Sequence, residues 1–159
     1  LAELEKDFDV KIITQNVDNL HEQAGSTQVL HLHGELMKVR SCGPGEEVYA
    51  LSSDNYETRL GDTSPKGYQL RPHIVWFGEA VPEMNTAIDI VEKADIFLII
   101  GTSLQVYPAA SLLHYVPAKV PVYLIDPNEV STKSRQVYVI NKGAGEGMLE
   151  LKEKLMKYL

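Results

Sequence analysis

The sequence predicts an α/β fold in which a parallel sheet is flanked by helices and carries a small inserted module. Apolar runs typical of strands alternate with amphipathic runs along most of the 159 residues, as in parallel α/β sheets. Residues 96–100 form a continuous apolar run, of the kind that is buried on both faces of a sheet. Residues 37–70 are instead polar and rich in Gly, Ser, Asp and Pro, with little periodicity. A stretch of this length without regular structure is usually functional or a separate module, which predicts an insertion there.

The individual elements follow from the apolar periodicity and from the residues that start and stop helices. Gly25 is suited to end one helix, and Pro108 is suited to the first turn of another. Strands are predicted at residues 10–14, 28–33, 72–77, 96–100, 120–125 and 137–140, and helices at 17–24, 83–93, 108–116 and 147–159.

Composition restricts the class of function. The formal net charge of −7 argues against a nucleic-acid partner and is compatible with a basic protein or peptide as substrate. The apolar run at 96–100 is too short to cross a bilayer, so no membrane partner is expected. The single cysteine, Cys42, excludes an internal disulfide and favours a reducing, cytoplasmic location. It also excludes a zinc site made of several thiolates.

Polar side chains follow the first predicted strand, in the segment Thr-Gln-Asn-Val-Asp-Asn-Leu-His at residues 14–21. Ligands of open α/β sheets bind beyond the carboxyl ends of strands. Gln15, Asn16 and Asp18 could there hydrogen bond to ribose hydroxyls and to an amide. The alternative is a polar turn that caps a helix.

Two histidines lie at the end of the next predicted strand. His31 and His33 are two residues apart, so both imidazoles point to the same face of the strand. Histidine is the usual general base near neutral pH, and the following Gly34 would let another backbone or a substrate approach closely. The alternative is that these histidines only form structural hydrogen bonds.

Two further segments are candidates for binding. Residues 101–103, Gly-Thr-Ser, follow an apolar strand and precede a helix, which suits a phosphate, and Asp126 at the end of the next strand suits a ribose. Neither a Gly-x-Gly-x-x-Gly motif nor a P-loop is present, and an ordinary strand-to-helix turn would look similar. Residues 71–79, Arg-Pro-His-Ile-Val-Trp-Phe-Gly-Glu, could pair with an extended peptide, or could simply be a core strand followed by a turn.

Together and in this order, these segments resemble the sirtuin family of NAD-dependent protein-lysine deacylases. The likeness extends from about residue 5 to the end of the chain, apart from the insertion. The segments that match family motifs are residues 14–25, 33–34, 71–79 and 101–110.

The resemblance implies a Rossmann-like NAD-binding domain at 1–36 and 71–159, with the small module at 37–70 inserted in it. NAD and an acyl-lysine peptide would bind in the cleft between the two. The nicotinamide and its ribose would contact Gln15, Asn16 and Asp18. The remainder of NAD would contact Gly101, Thr102, Ser103, Asp126 or Asn128, and the backbone at Ala144. The acyl-lysine would lie against Val75, Phe77, Gly78, Glu79 and Val106.

The resemblance also implies the reaction. Acyl groups, acetyl with succinyl or malonyl left open, would be removed from lysine to give nicotinamide and O-acyl-ADP-ribose. His33 would act as the general base that deprotonates a ribose hydroxyl. His31 has no family role and is assigned to structure.

Two features depart from the family pattern. Most members hold zinc through two cysteine pairs in the insertion, whereas only Cys42 is present here, so we expect no zinc, as in some bacterial members. Members also begin with a Gly-Ala-Gly-Ile-Ser segment that covers the NAD pyrophosphate, and we expect this chain to lack it. The alternative function is therefore a non-catalytic fragment that binds NAD or ADP-ribose.

Overall fold

The computed structural model describes residues 1–102, 109–128 and 137–159. The chain forms two compact units, one made of Ile12–Glu83 and the other of Leu1–Lys11 together with Met84–Leu159. These units group the chain differently from the domains predicted at 1–36 with 71–159 and at 37–70, and that division stays a prediction.

The Ile12–Glu83 unit begins with a parallel pair of strands. Strand β1 (Ile12–Thr14) pairs with β2 (Val29–His31), and helix α1 (Leu20–Gln23) connects them. The helix is shorter than the predicted 17–24, because the carbonyl of Val17 accepts a hydrogen bond from the Leu36 amide at 2.8 Å instead of joining a helical turn. This pairing holds the polar segment that follows β1 in a loop.

The same unit contains an antiparallel sheet in the order β4-β3-β5. Its strands are β3 (Gly34–Ser41), β4 (Val48–Ala50) and β5 (Leu70–Ile74). Residues 37–70 are therefore more regular than their sequence predicts. The register of β3 against β5 shifts between Gly34 and Val39, and this irregularity breaks the alternation of apolar residues by which a strand is recognised.

The second unit contains a parallel sheet in the order β6-β7-β8. Its elements are α2 (Met84–Val91), β6 (Phe97–Ile100), β7 (Val122–Ile125), β8 (Val137–Ile140) and α3 (Ala144–Leu155). The predicted α/β class, with parallel strands flanked by helices, is confirmed. Residues Ala109–Tyr115 form a 3-10 helix within the predicted helix 108–116, whose first residue, Pro108, lies outside the described residues.

The core of this second unit lies around β7. All four residues of β7 are buried, because β7 pairs with a strand on each side. The sequence predicts that residues 96–100 are buried on both faces, but Ile99 is the one buried side chain among them. The reason is that β6 pairs with β7 alone among the described strands. The buried apolar cluster consists of Leu4, Tyr123, Ile125, Ile140, Leu151 and Leu155. In the described ranges, no helix combines the length and the apolar character needed to cross a membrane.

Candidate active site

His33 lies in the connection between β2 and β3, with its imidazole held by the loop that follows β1. Its Nδ1 atom is 3.1 Å from the carbonyl oxygen of Gln15. A carbonyl oxygen can only accept, so Nδ1 carries the proton of the neutral ring and Nε2 is left as a proton acceptor. No other hydrogen bond to this ring is found in the described part of the chain. The half-buried ring is therefore oriented as a general base should be.

His31 is the buried histidine of the pair, with 8% of its surface exposed. Its Nδ1 atom is 3.0 Å from the carbonyl oxygen of Asn16, and its Nε2 atom is 2.8 Å from Oε1 of Glu22. Both ring nitrogens are thus engaged within the protein. This supports the structural role that the sequence assigns to His31, in contrast to His33.

The backbone around His33 joins the loop after β1 to the segment that follows β5. The carbonyl oxygen of His33 accepts a hydrogen bond from the Val75 amide at 2.9 Å, and the Leu32 amide donates to the Thr14 carbonyl at 2.9 Å. The Ile12–Glu83 unit therefore brings three predicted site residues, Gln15, His33 and Val75, to one place.

The segment after β5 forms a turn with exposed aromatic side chains. The Glu79 amide donates to the Trp76 carbonyl at 3.0 Å, and Gly78 between them has a φ of 90°. Phe77 is fully exposed and Trp76 is 56% exposed. Apolar side chains held at the surface by a tight turn favour a binding role over the alternative of a core strand.

The carboxylate of Glu79 holds this turn through three groups. Oε1 is 2.7 Å from Nη1 of Arg71, while Oε2 is 3.2 Å from Nη2 of Arg40 and 3.0 Å from the Trp76 amide. The Arg71 guanidinium, followed by the Trp76 amide, lowers the pKa of Glu79 to about 2. Glu79 therefore shapes the turn through its own side chain. The sequence gives no sign of the part played by Arg40, which lies 39 residues away from Glu79 in the chain.

Replacing Glu79 by Gln is expected to destabilise the protein at neutral pH, because it removes the charge that both guanidinium groups bind. Since the folded protein lowers the pKa of Glu79 from 4.5 to about 2, its stabilising effect is present above pH 4.5 and is lost as the pH falls toward 2. The free energies of unfolding of the wild type and Glu79→Gln in urea should therefore differ at pH 7 and converge as the pH falls from 4.5 toward 2. Glu57→Gln, which alters an exposed pair with Arg59, is the control and should change stability by under about 0.5 kcal/mol. A difference that does not vary with pH would contradict this role.

A second set of predicted site residues lies in the unit made of Leu1–Lys11 and Met84–Leu159. Gly101 follows β6 with a φ of 63°, and a Cβ atom placed on it would meet nothing within 4 Å. Asp126 follows β7, is 7% exposed, and accepts hydrogen bonds from the Asn128 amide at 2.8 Å and from its Nδ2 at 3.2 Å. Ala144 begins α3 after β8. These residues follow the carboxyl ends of parallel strands, where α/β sheets bind ligands.

Thr102 and Asp18 are two further predicted site residues within the described ranges. Thr102 is half-buried next to Gly101. The carboxylate of Asp18 accepts a hydrogen bond of 3.1 Å from the amide of Leu20, the first residue of α1. Ser103 and Val106 lie outside the described residues. Within 1–102, 109–128 and 137–159, no three His, Cys, Asp or Glu side chains are grouped so as to hold a metal ion. The expected absence of zinc stays a prediction.

Comparison with known proteins gives the same family from both sequence and structure. The model of the Sir2 family matches residues 1–108. A relative from Bacteroides thetaiotaomicron, named NAD-dependent protein deacylase, is 61% identical over 160 residues, covering 98% of this chain and 68% of that protein. A solved complex of a Sir2 homolog with NAD is 39% identical, with a TM-score of 0.82, and covers 99% of this chain and 62% of its own.

A solved structure of Sir2 with a p53 peptide and NAD⁺ is 30% identical, with a TM-score of 0.73, covering 99% of this chain and 66% of its own. The chain thus spans about two thirds of the length of these relatives. The predicted Rossmann-like α/β class agrees with these neighbours, and the matches extend over nearly all of the chain. The chain therefore belongs to the Sir2, or sirtuin, family.

Proposed function

We propose that the intact protein is an NAD-dependent protein-lysine deacylase and that His33 is its general base. The observation that carries this proposal is the hydrogen bond from Nδ1 of His33 to the Gln15 carbonyl, which leaves Nε2 as a proton acceptor. The name of the relative that is 61% identical supports the same activity.

The chemistry of the residues fits NAD. Gln15 and Asn16 have their backbone carbonyls fixed by two histidines, so their amide side chains start from a defined turn, and they are proposed to hydrogen bond to nicotinamide and ribose. A phosphate is proposed to bind at Gly101, where a Cβ atom would meet nothing within 4 Å, and at Thr102 and Ser103, which follow it in the chain. A ribose is proposed to bind Asp126, which follows β7. When bound, NAD supplies the anomeric carbon that the acyl oxygen attacks and the nicotinamide that leaves. Asp18, Asn128 and the backbone at Ala144 complete the proposed NAD contacts.

The acyl-lysine is proposed to lie against the turn after β5. Acylation removes the charge of lysine, so this side chain can enter apolar surroundings without a large desolvation cost. Val75 is half-buried next to His33, and Phe77 offers a fully exposed ring. Gly78 and Glu79 form the rest of the turn, and Val106 is also proposed to contact the acyl-lysine.

The role of His33 follows from its hydrogen bond. Nε2 takes the proton of a ribose hydroxyl, and the positive charge that develops on the ring is stabilised by the Gln15 carbonyl at Nδ1. One water is consumed, because it supplies the oxygen of the new ester carbonyl and the protons of the lysine amine, and the products are deacylated lysine, nicotinamide and O-acyl-ADP-ribose. Acetyl is the proposed acyl group, and succinyl and malonyl are alternatives for the test.

The proposal is tested by incubating the intact protein with acetyl-, succinyl- and malonyl-lysine peptides, each with and without NAD. Mass spectrometry should show loss of at least one acyl group that depends on NAD. Binding of NAD with no loss of any of these groups would instead support the alternative, a non-catalytic module that binds NAD or ADP-ribose.

The small module is proposed to fold without zinc. Cys42 is the single cysteine of the chain, and it is exposed at the end of β3. Metal analysis of the purified protein should show zinc far below one atom per chain. A cytoplasmic location and the lack of nucleic-acid or membrane partners also stay predictions.

A further inference from the structure

His31, Glu22 and the Asn16 carbonyl form a cluster that takes no part in the proposed reaction. The geometry points to a function for it: we propose that His31 is a positioning residue, an imidazolium that fixes the Asn16 backbone by bonding both to it and to Glu22. This inference rests on the proposed function, because the turn that His31 holds is the one proposed to bind nicotinamide and ribose.

The charge state of His31 follows from its two partners. A carbonyl oxygen and an ionised carboxylate both only accept hydrogen bonds, so both ring nitrogens must carry protons. A neutral ring with its proton on Nδ1 would point the lone pair of Nε2 at the carboxylate of Glu22, only 2.8 Å away. Since histidine holds a proton more tightly than glutamate, with ordinary pKa values of 6.5 and 4.5, the proton stays on the ring.

The surroundings of the pair agree with this state. Burial has the largest single effect on the pKa of His31 and lowers it. The hydrogen bonds to Glu22 and Asn16, together with the negative charge of Glu22, more than offset burial, so the pKa of His31 is raised. Desolvation is the largest single effect on the pKa of Glu22 and would raise it, but the bond to His31, a backbone hydrogen bond and the nearby histidine charges together lower it. Glu35 in β3 also favours the charged ring, and His21 in α1 favours the charged carboxylate.

The effect on the site is to fix two consecutive carbonyls. His33 bonds to the carbonyl of Gln15 and His31 to that of Asn16, so two side chains near the end of β2 determine the orientation of the turn after β1. Glu22 ties His31 to α1, which follows the same turn. Loss of His31 should therefore change the binding of NAD more than the binding of the peptide.

Because the pKa of His31 is raised, its contribution is complete below pH 6.5 and is lost as the pH rises through the raised pKa. In the wild type, the KM for NAD should therefore increase at alkaline pH. In Glu22→Gln, the amide can donate to Nε2 of a neutral His31 while Nδ1 still donates to Asn16. This variant should lose the alkaline increase but keep a KM for NAD close to that of the wild type at pH 7.

The test combines kinetics with nitrogen NMR of the histidine rings in the intact protein. His31→Ala should raise the KM for NAD about tenfold, the equivalent of one charged hydrogen bond, while the KM for an acetyl-lysine peptide changes less than about twofold. NMR at pH 7 should show both nitrogens of His31 protonated. His114→Ala, at an exposed histidine in the other unit, is the control and should leave both KM values unchanged.

The outcomes separate this inference from the proposed function. A neutral His31 ring at pH 7 overturns the inference even if the protein proves not to be a deacylase. An active wild type with an unchanged KM for NAD in His31→Ala also overturns it and leaves the proposed function standing. If His31→Ala does not fold, Glu22→Gln decides, because an alkaline increase like that of the wild type would contradict the role of the imidazolium.

Discussion

Replacing His33 by alanine in the intact protein is expected to lower the rate of lysine deacylation about 10²- to 10⁴-fold, the range typical of a general base. The change removes Nε2, the proton acceptor that the hydrogen bond of Nδ1 to the Gln15 carbonyl leaves available. Steady-state release of nicotinamide should fall with it. Nicotinamide and the deacylated peptide can both be followed by liquid chromatography. If His33→Ala released nicotinamide as fast as the wild type, His33 would not be the general base.

The loss of activity should not come from unfolding. The imidazole of His33 is half-buried and makes one neutral hydrogen bond among the described residues. Its removal should therefore cost only about 1 kcal/mol of unfolding free energy. Urea unfolding of His33→Ala, compared with the wild type, measures this cost. A variant that is folded but inactive is the expected combination, and a variant that is inactive because it is unfolded would contradict it.

Replacing Gly34 by alanine is expected to destabilise the protein by several kcal/mol, more than an ordinary surface change. Gly34 has a φ of 82°, and a Cβ atom there would lie 1.8 Å from the carbonyl oxygen of His73 in β5. The methyl group can fit only if the backbone of β3 moves away from that of β5. Because His33 precedes Gly34 and bonds to Val75, this movement would also displace the proposed base.

The chain offers a matched control for this effect. Gly67 has the same φ of 82°, but a Cβ atom placed on it would meet nothing within 4 Å. Gly67→Ala should therefore cost only the backbone strain of a left-handed alanine, about 1–2 kcal/mol. Unfolding in urea should separate the two variants clearly. Equal losses would show that the close approach of β5 is not what requires glycine at position 34.

The parallel strands could be predicted from the sequence because each is an apolar run bounded by polar or turn-forming residues, and helical patterns follow β1, β6 and β8. The relative burial of β6 and β7 could not, since it depends on which strand lies in the middle of the sheet. The run at 96–100 is as apolar as that of β7, yet β7 is the strand with a neighbour on each side. Burial of this kind is set by strand order, which is not visible in a single run of residues.

The antiparallel sheet in residues 34–74 was not predicted, because the register shift between Gly34 and Val39 disrupts the alternation that marks a strand. The same limit applies to the site. Gln15 and His33 could be singled out from residue type and position after strands. The Arg40 contact to Glu79 could not, because it joins residues 39 positions apart through the packing of β3 beside β5.

The charge of His31 also depends on the fold. Its spacing from His33 shows only that the two rings share a face of the strand. Whether either ring is neutral or charged depends on its partners, which are one carbonyl for His33 and a carbonyl with a carboxylate for His31. Two histidines of similar sequence context are therefore assigned opposite roles by their hydrogen bonds.

The most direct measurement of the proposed activity is a count of nicotinamide released and lysine deacylated in one reaction of the intact protein with NAD and an acetyl-lysine peptide. If the protein is an NAD-dependent deacylase with His33 as its base, the two amounts should be equal, and both should be lost in His33→Ala. Deacylation without release of nicotinamide, or undiminished deacylation by His33→Ala, would contradict this mechanism.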